Sequence, residues 1–168
     1  MKTHQRRILL ATALLAILFA INFLNRSDKV MADFSFTDID GQTHTRADYL
    51  GKPLLVIFWA TDCPGCIKEM PDLVKLYQTY SPNDLSMLGI AMAHDSLDHI
   101  NAMRAAKNLP YTITWDHNNA LAQAFDNVRV TPTHFLITAK GEIIMRKIGS
   151  LNMDLVDKKL LDMGLNKI

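Results

Sequence analysis

Apolar runs alternate with amphipathic stretches from Asp33 to the end of the chain. Residues 53–60, PLLVIFWA, form an unbroken apolar run, which is typical of a strand buried on both faces of a sheet. Around the Asp40-Gly41 turn, apolar and polar residues alternate, which predicts a short hairpin over residues 33–45. Further strands are predicted at 85–93, at 111–116, and at 133–138 and 142–148, the last two forming an antiparallel hairpin across Ala-Lys-Gly.

Three helices are predicted between these strands and a fourth after the last strand. The first starts near Cys63 and runs to about Tyr80, with a bend at Pro71 because proline interrupts the helical hydrogen bonds. The other three cover 96–108 with Ser96 as its cap, 118–125, and an amphipathic segment over 152–165. Strands that alternate with helices, followed by a hairpin and a last helix, indicate an α/β layered domain.

The first 32 residues have a different pattern. Residues 8–24, ILLATALLAILFAINFL, carry no charge and follow the basic stretch MKTHQRR. Seventeen apolar residues are at the short end of a membrane-spanning helix but exceed a usual signal-peptide core. We therefore expect residues 1–32 to be a cytoplasmic stub, a single-pass anchor and a short linker, with residues 33–168 outside the cytoplasm. A cleaved signal peptide, with Ala32 near the cleavage site, is the alternative.

Charge is distributed unevenly between these two parts. The 168 residues carry a net charge of +1, yet residues 1–32 have five Lys/Arg against one Asp, while the remainder has 13 basic and 16 acidic residues. A mildly acidic body gives no electrostatic reason to expect nucleic-acid binding. The length and the ordinary composition, 49% hydrophobic and 21% charged, suit one globular domain with a sizeable core.

The only two cysteines lie in WATDCPGCIKEMP, where a buried strand gives way to a helix. A bridge between Cys63 and Cys66 closes too small a loop to be a good structural staple, and a zinc site would need four ligands. A working dithiol fits better, because the helix N-terminus stabilises a thiolate on Cys63. Pro64 suits the first helical turn, and Gly65 leaves the sulfurs accessible. We expect Cys63 to be the exposed nucleophile and Cys66 to resolve the mixed disulfide.

The segment VIFWATDCPGCIKEMP resembles the active site of the thioredoxin superfamily, and more narrowly that of the membrane-anchored bacterial group that includes TlpA, ResA and CcmG (DsbE). The resemblance covers residues 33–168 and includes the N-terminal hairpin, the strand and helix inserted around 111–124, and VTPTHFLIT. It implies a thioredoxin-like fold, with a central mixed sheet flanked by helices, and a redox-active disulfide in place of any cofactor.

The same resemblance assigns roles to further residues. It implies that Thr131-Pro132 is a cis peptide bond and that the backbone of Thr131 pairs with an extended substrate chain. It also implies that Glu69 lies beneath the dithiol and accepts a proton from Cys66. Trp59 is expected to pack behind the site.

The chain departs from the group at three positions. Asp62 stands where the group has Trp before the first cysteine, and its carboxylate disfavours a thiolate on Cys63. Ile57 replaces the buried aspartate of cytoplasmic thioredoxin, and Pro64-Gly65 inverts its Gly-Pro. The reduction potential therefore cannot be transferred from a relative.

Three functions are weighed from the sequence. The first is an extracytoplasmic oxidoreductase, anchored in the bacterial inner membrane with a periplasmic domain. It would reduce or isomerise selected exported proteins, with cytochrome c maturation or a related assembly pathway as candidates. The resemblance implies a membrane electron donor of the DsbD/CcdA kind.

The two other functions fit the sequence less well. A copper-handling module would bind Cu(I) through both cysteines and His134, a residue whose default interpretation is an ordinary strand-face histidine. A thiol peroxidase would need a threonine three residues before the nucleophile, whereas Thr61 is two before Cys63.

Overall fold

The computed structural model describes residues 29–80 and 84–167, together with Arg7 and Thr12. Seven strands lie in this part of the chain: β1 Ser35–Thr37, β2 Thr43–Thr45, β3 Leu54–Trp59, β4 Ser86–Ala91, β5 Thr112–Trp115, β6 Thr133–Ile137 and β7 Ile143–Ile148. Its α-helices are α1 Pro64–Tyr80, α2 Leu97–Lys107, α3 Ala120–Ala124 and α4 Met153–Asp162, and a 3-10 helix covers Arg46–Tyr49.

Strands β3 to β7 form a mixed sheet in the order β5-β4-β3-β6-β7. The pairs β3–β4 and β4–β5 are parallel, whereas β6 is antiparallel to β3 and to β7. Strands β1 and β2 form a separate antiparallel hairpin with Phe36 opposite His44. All six residues of β3 are buried, as its unbroken apolar run predicts.

The sequence predicts all of these strands and α-helices, with bounds that differ by a few residues, but it does not predict the 3-10 helix over Arg46–Tyr49. The largest difference is in α4, which ends at Asp162 rather than at residue 165. Helix α1 continues through Pro71 to Tyr80, so the proline does not end it, and the predicted bend there stays a prediction.

The two faces of the sheet are covered differently. Side chains on one strand alternate between the faces, so Phe58 of β3 points to one face and its neighbours Ile57 and Trp59 to the other. Phe58, Phe125 and Phe135 form an aromatic cluster with ring centroids 5.3–6.1 Å apart. Ile57 lies directly opposite His134 in β6, and His134 contacts helix α1. The face that carries Ile57 and Trp59 is therefore the face that α1 covers.

The described residues just before the predicted domain start at Asp33 already contact the sheet. The carbonyl of Lys29 accepts a hydrogen bond from Ile143 N–H at 2.7 Å, and Val30 bridges to Glu142. Met31 is buried. The end of the segment predicted as a linker is therefore paired along β7.

The predicted anchor at 8–24 lies outside the described residues, apart from Thr12. In the described ranges, 29–80 and 84–167, no helix has both the length and the apolar character needed to cross a membrane.

Candidate active site

The two cysteines lie where the central strand β3 passes into helix α1. Cys63 directly precedes the helix, and its carbonyl accepts the N–H of Ile67 at 3.1 Å, which is the first helical hydrogen bond. Pro64 occupies the first helical position, where its missing N–H has no cost. The sulfur of Cys63 therefore lies among the unpaired N–H groups that begin a helix.

Cys63 and Cys66 are joined by a disulfide with their Cα atoms 5.3 Å apart. The backbone N–H of Cys66 donates to the sulfur of Cys63 at 3.2 Å. Once the bond is reduced, a donor aimed at this sulfur favours its thiolate over its thiol.

The expectation that Cys63 is exposed is wrong for this disulfide form. Cys63 is 8% exposed and Cys66 is 3% exposed. Cys63 is still the more accessible of the two, because it precedes the helix whereas Cys66 lies on its buried face. Cys63 is more accessible than Cys66, as expected, but both cysteines are buried.

The loop before β6 lies next to Gly65, which stands between the two cysteines. The Thr131–Pro132 bond is cis, as the resemblance implied. A methyl group added at Gly65 would lie 3.5 Å from the ring carbon Cδ of Pro132. The absence of a side chain at Gly65 therefore leaves space between the first turn of α1 and the cis-proline. Val130, just before this bond, is 50% exposed and adds an apolar surface beside the site.

Glu69 is buried on α1, one turn after Cys66. Its Oε2 atom is 2.8 Å from Nε2 of His134, and its Oε1 atom accepts the backbone N–H of Leu151 at 2.5 Å. Residues three apart on a helix share a face, so the carboxyl group and the Cys66 sulfur lie on the same side of α1. Glu69 is therefore a buried residue of α1 and not a solvated one, although a glutamate on a helix is usually exposed.

His134 is the site residue whose partner the sequence did not reveal. It is completely buried and its pair with Glu69 joins β6 to α1. A histidine inside the apolar stretch 133–138 was the available signal, because a buried polar side chain requires a partner.

Tyr111 lies near the same carboxyl group. Burial raises the pKa of the Tyr111 phenol, and the negative charge of Glu69 raises it further. The phenol therefore stays neutral across the physiological range.

Asp62 differs from Glu69 in its surroundings. Its side chain is 75% exposed and lies 3.3 Å from Nε2 of His94. The preceding residue, Thr61, is bound through its N–H and its hydroxyl to the carboxylate of Asp95. Asp62 is thus at the surface of the site.

Trp59 is buried at the end of β3, and its expected position behind the cysteines stays a prediction. A methyl group at Gly89 of the neighbouring strand would lie 3.2 Å from the Trp59 indole nitrogen. Trp59 thus fills the space that the glycine leaves. In the described part of the chain, no group of three or more His, Cys, Asp and Glu side chains is arranged to hold a metal ion.

Comparison with known proteins gives the same fold and chemistry. The chain is 29% identical over 171 residues to the thiol-disulfide oxidoreductase ResA of Geobacillus kaustophilus, which covers 95% of this chain and 97% of the relative. It is 29% identical over 130 residues to the thioredoxin-like protein YneN of Bacillus subtilis, covering 76% and 75%.

Solved structures agree with these relatives. A putative thioredoxin from Neisseria meningitidis superimposes with a TM-score of 0.75 at 32% identity, over 82% of this chain and 91% of that one. A thiol:disulfide interchange protein from Chlorobium tepidum gives a TM-score of 0.74 at 25% identity, over 83% and 97%.

The fold and the cysteine pair define a thioredoxin-like thiol-disulfide oxidoreductase. Residues 28–146 match the AhpC/TSA family, and the chain belongs to that family.

Proposed function

We propose that the protein reduces disulfides in selected exported proteins through Cys63 and Cys66, from a position outside the cytoplasm. The observation that carries this proposal is the disulfide at the start of α1, beside a cis-proline and one turn from a buried carboxyl group. The uncharged stretch 8–24 behind a basic flank supports an anchor in the bacterial inner membrane, with the domain in the periplasm.

The proposed reaction has two exchange steps. The Cys63 thiolate attacks one sulfur of a substrate disulfide, which forms a mixed disulfide and releases the other sulfur as a thiolate that takes up a proton. The substrate chain lies along Thr131 and Pro132. Cys66 then loses its proton to Glu69 and attacks the Cys63 sulfur. This releases the second substrate thiolate, which also takes up a proton. The protein dithiol loses two electrons and the substrate disulfide gains them.

The oxidised protein needs a reductant to start again. We expect a membrane electron donor of the DsbD/CcdA kind, which would reduce the Cys63–Cys66 disulfide by the same exchange chemistry. Cytochrome c maturation, or a related assembly pathway, is the context in which such a reductant acts on exported proteins.

The contacts of the site favour this function over the two alternatives. A Cu(I) site would use His134, but this side chain is completely buried and its Nε2 atom is engaged with Glu69. A peroxidase would use a threonine hydroxyl beside the nucleophile, but the hydroxyl of Thr61 donates to Asp95 at 2.8 Å.

The first test is the reduction potential of the Cys63–Cys66 pair in the full chain, measured by thiol trapping in redox buffers. A value near or below about −270 mV, that of thioredoxin, supports a dedicated reductant. A value near about −120 mV would make the protein an oxidant and overturn the proposal.

A substrate trap gives a second test. In Cys66→Ala, mixed disulfides between Cys63 and exported proteins should accumulate in cells, whereas the matched variant Cys63→Ala should give none. If Cys66→Ala traps no protein, reduction of exported proteins is contradicted.

A further inference from the structure

Glu69 and His134 form a buried polar contact between α1 and β6. The relative exposures of their side chains are 5% and 0%, and Nε2 and Oε2 are 2.8 Å apart. Burial of an ionised carboxylate without hydrogen-bond donors is very costly, so the groups around Glu69 decide whether it can stay ionised.

Two donors from different elements hold the Glu69 carboxylate. His134 in β6 lies at Oε2, and the N–H of Leu151, in the loop before α4, lies at Oε1. The donors fix the orientation of the carboxyl group relative to α1. Each carboxylate oxygen has two lone pairs, so one on each oxygen remains free to accept a proton.

The unpaired nitrogen of His134 indicates its protonation state. Among the described residues, its Nδ1 atom has no hydrogen-bond partner. A protonated imidazole, or the tautomer with hydrogen on Nδ1, would bury an N–H donor without an acceptor. The neutral form with hydrogen on Nε2 places its only N–H against Oε2 of Glu69. In this form His134 donates and Glu69 is the carboxylate.

The other titratable groups around the pair fit this arrangement. Tyr111 stays neutral, because burial and the Glu69 charge both raise its pKa. Lys147 is the cross-strand neighbour of His134 on β7, and it is exposed to solvent. Cys66 lies one turn before Glu69 on the same buried face of α1. Cys66 is thus the buried group that can transfer a proton to Glu69.

We propose that His134 is the positioning residue of the resolving step: its Nε2–H keeps Glu69 ionised and oriented, so that Glu69 can take the proton of Cys66. This inference rests on the proposed function, since it assigns a role within the same dithiol reaction. The proton moves from the Cys66 sulfur to a free lone pair of Glu69 as the Cys66–Cys63 bond forms. It then leaves with the released substrate thiolate, and the carboxylate is restored.

Removal of the Nε2–H should slow the resolving step by Cys66 and leave the attack by Cys63 unchanged. Without this donor, the buried Glu69 carboxylate keeps only the Leu151 N–H, so it is held less firmly and is a poorer acceptor for the Cys66 proton. The attack by Cys63 uses the N-terminus of α1 and does not depend on Glu69.

The test uses the reduced full chain mixed with an aromatic disulfide whose leaving thiolate absorbs light. The first release of thiolate reports the attack by Cys63, and the second reports resolution by Cys66. Both rates are followed by stopped-flow absorbance across the pH range. The variants are His134→Phe, the smaller His134→Leu, and His134→Gln, whose amide N–H can replace the Nε2–H.

His44→Phe is the matched control. It breaks another histidine–carboxylate pair of the same 2.8 Å separation, between His44 and Asp38 in the β1–β2 hairpin. Circular dichroism and thermal unfolding show which variants are folded, and His134→Leu and His134→Gln supply the comparison if His134→Phe does not fold.

We expect His134→Phe and His134→Leu to slow the second release about tenfold at neutral pH, because a hydrogen bond to a charged group contributes at least that factor. The pH dependence of the second release should change in these two variants, whereas that of the first release should not. His134→Gln should remain within about threefold of wild type, since it keeps a neutral donor, and His44→Phe should not change either rate.

Two results would overturn the inference: an unchanged second release in the folded Phe or Leu variant, or a Gln variant as slow as those variants. If the wild-type protein itself gives no second release, the proposed dithiol function fails instead. The two failures are therefore distinguishable.

Discussion

The two histidine–carboxylate pairs of this domain have the same separation, but one lies within a hairpin and the other joins a helix to the central sheet. In the β1–β2 hairpin, the Oδ2 atom of Asp38 lies 2.8 Å from Nε2 of His44. Its Oδ1 atom accepts hydrogen bonds from the backbone N–H groups of Asp40 and Gln42 at 2.8–2.9 Å. The whole arrangement lies within seven consecutive residues, and His44 stacks on Phe36 with ring centroids 5.1 Å apart. It closes a turn and has no reactive group beside it.

The pair in the site joins two elements that are 65 residues apart in the chain. Glu69 has two donors where Asp38 has three, and the Cys66 sulfur lies one helical turn away. The same chemical contact can therefore lock a turn in one place and hold a proton acceptor in another. The separation of the two atoms does not distinguish these roles, whereas burial, the number of donors and the neighbouring group do.

The largest expected difference comes from removal of the proton acceptor itself. Glu69→Gln keeps the size of the side chain but cannot take a proton, so the second release should slow about 100-fold, the lower end of general-base effects. The first release should be unchanged, which stopped-flow absorbance measures in the same experiment. The control Asp38→Asn should not change either rate. Equal slowing in both variants would show a general effect on the fold instead.

The hairpin pair should affect stability rather than rate. Asp38→Ala removes three hydrogen bonds, and we expect the free energy of unfolding to fall by about 2 kcal/mol at neutral pH. Denaturant titration measures this, and the exchange rates of the same variant provide the contrast with Glu69. Loss of dithiol activity in folded Asp38→Ala would remove the distinction between the two pairs.

That stabilisation should disappear in acid. Burial acts to raise the pKa of Asp38, but the hydrogen bonds from His44, Gln42 and Asp40 outweigh it and hold the pKa below its ordinary value. A carboxyl group with a lowered pKa stabilises the fold above its unfolded pKa of about 3.9, and this contribution is lost as the pH falls through the folded value. The stability gap between wild type and Asp38→Ala should therefore narrow below about pH 4. A gap that widens in acid contradicts this.

Features that depend on neighbouring residues could be predicted from the sequence. Six consecutive apolar residues identify β3, and Ser96 begins α2 by accepting the His99 N–H at 3.4 Å. The position of Cys63 before α1 follows from the same local pattern. The cis bond at Thr131 came only from the resemblance, because the residues alone do not specify it.

Features that depend on long-range register could not be predicted. The contact between His134 and Glu69 requires β6 to pair with β3 so that His134 lies opposite Ile57, on the face that α1 covers. A period-two pattern shows that alternate residues share a face but not which helix covers it. The low exposure of Cys63 likewise depends on tertiary packing around the start of α1.

The last prediction compares Glu69 with the exposed carboxylate of the site. Asp62 lies beside Cys63 and is 75% exposed, so water and salt screen its charge. Asp62→Asn should therefore raise the rate of the first release only about twofold at low ionic strength, since the effects of exposed charges are small. High salt should remove the difference, and the second release should be unchanged. The same stopped-flow measurement checks this, with His94→Gln as the control that removes its ion-pair partner. If Asp62→Asn slowed the second release as much as Glu69→Gln does, the difference in burial would not explain the different roles of the two carboxylates.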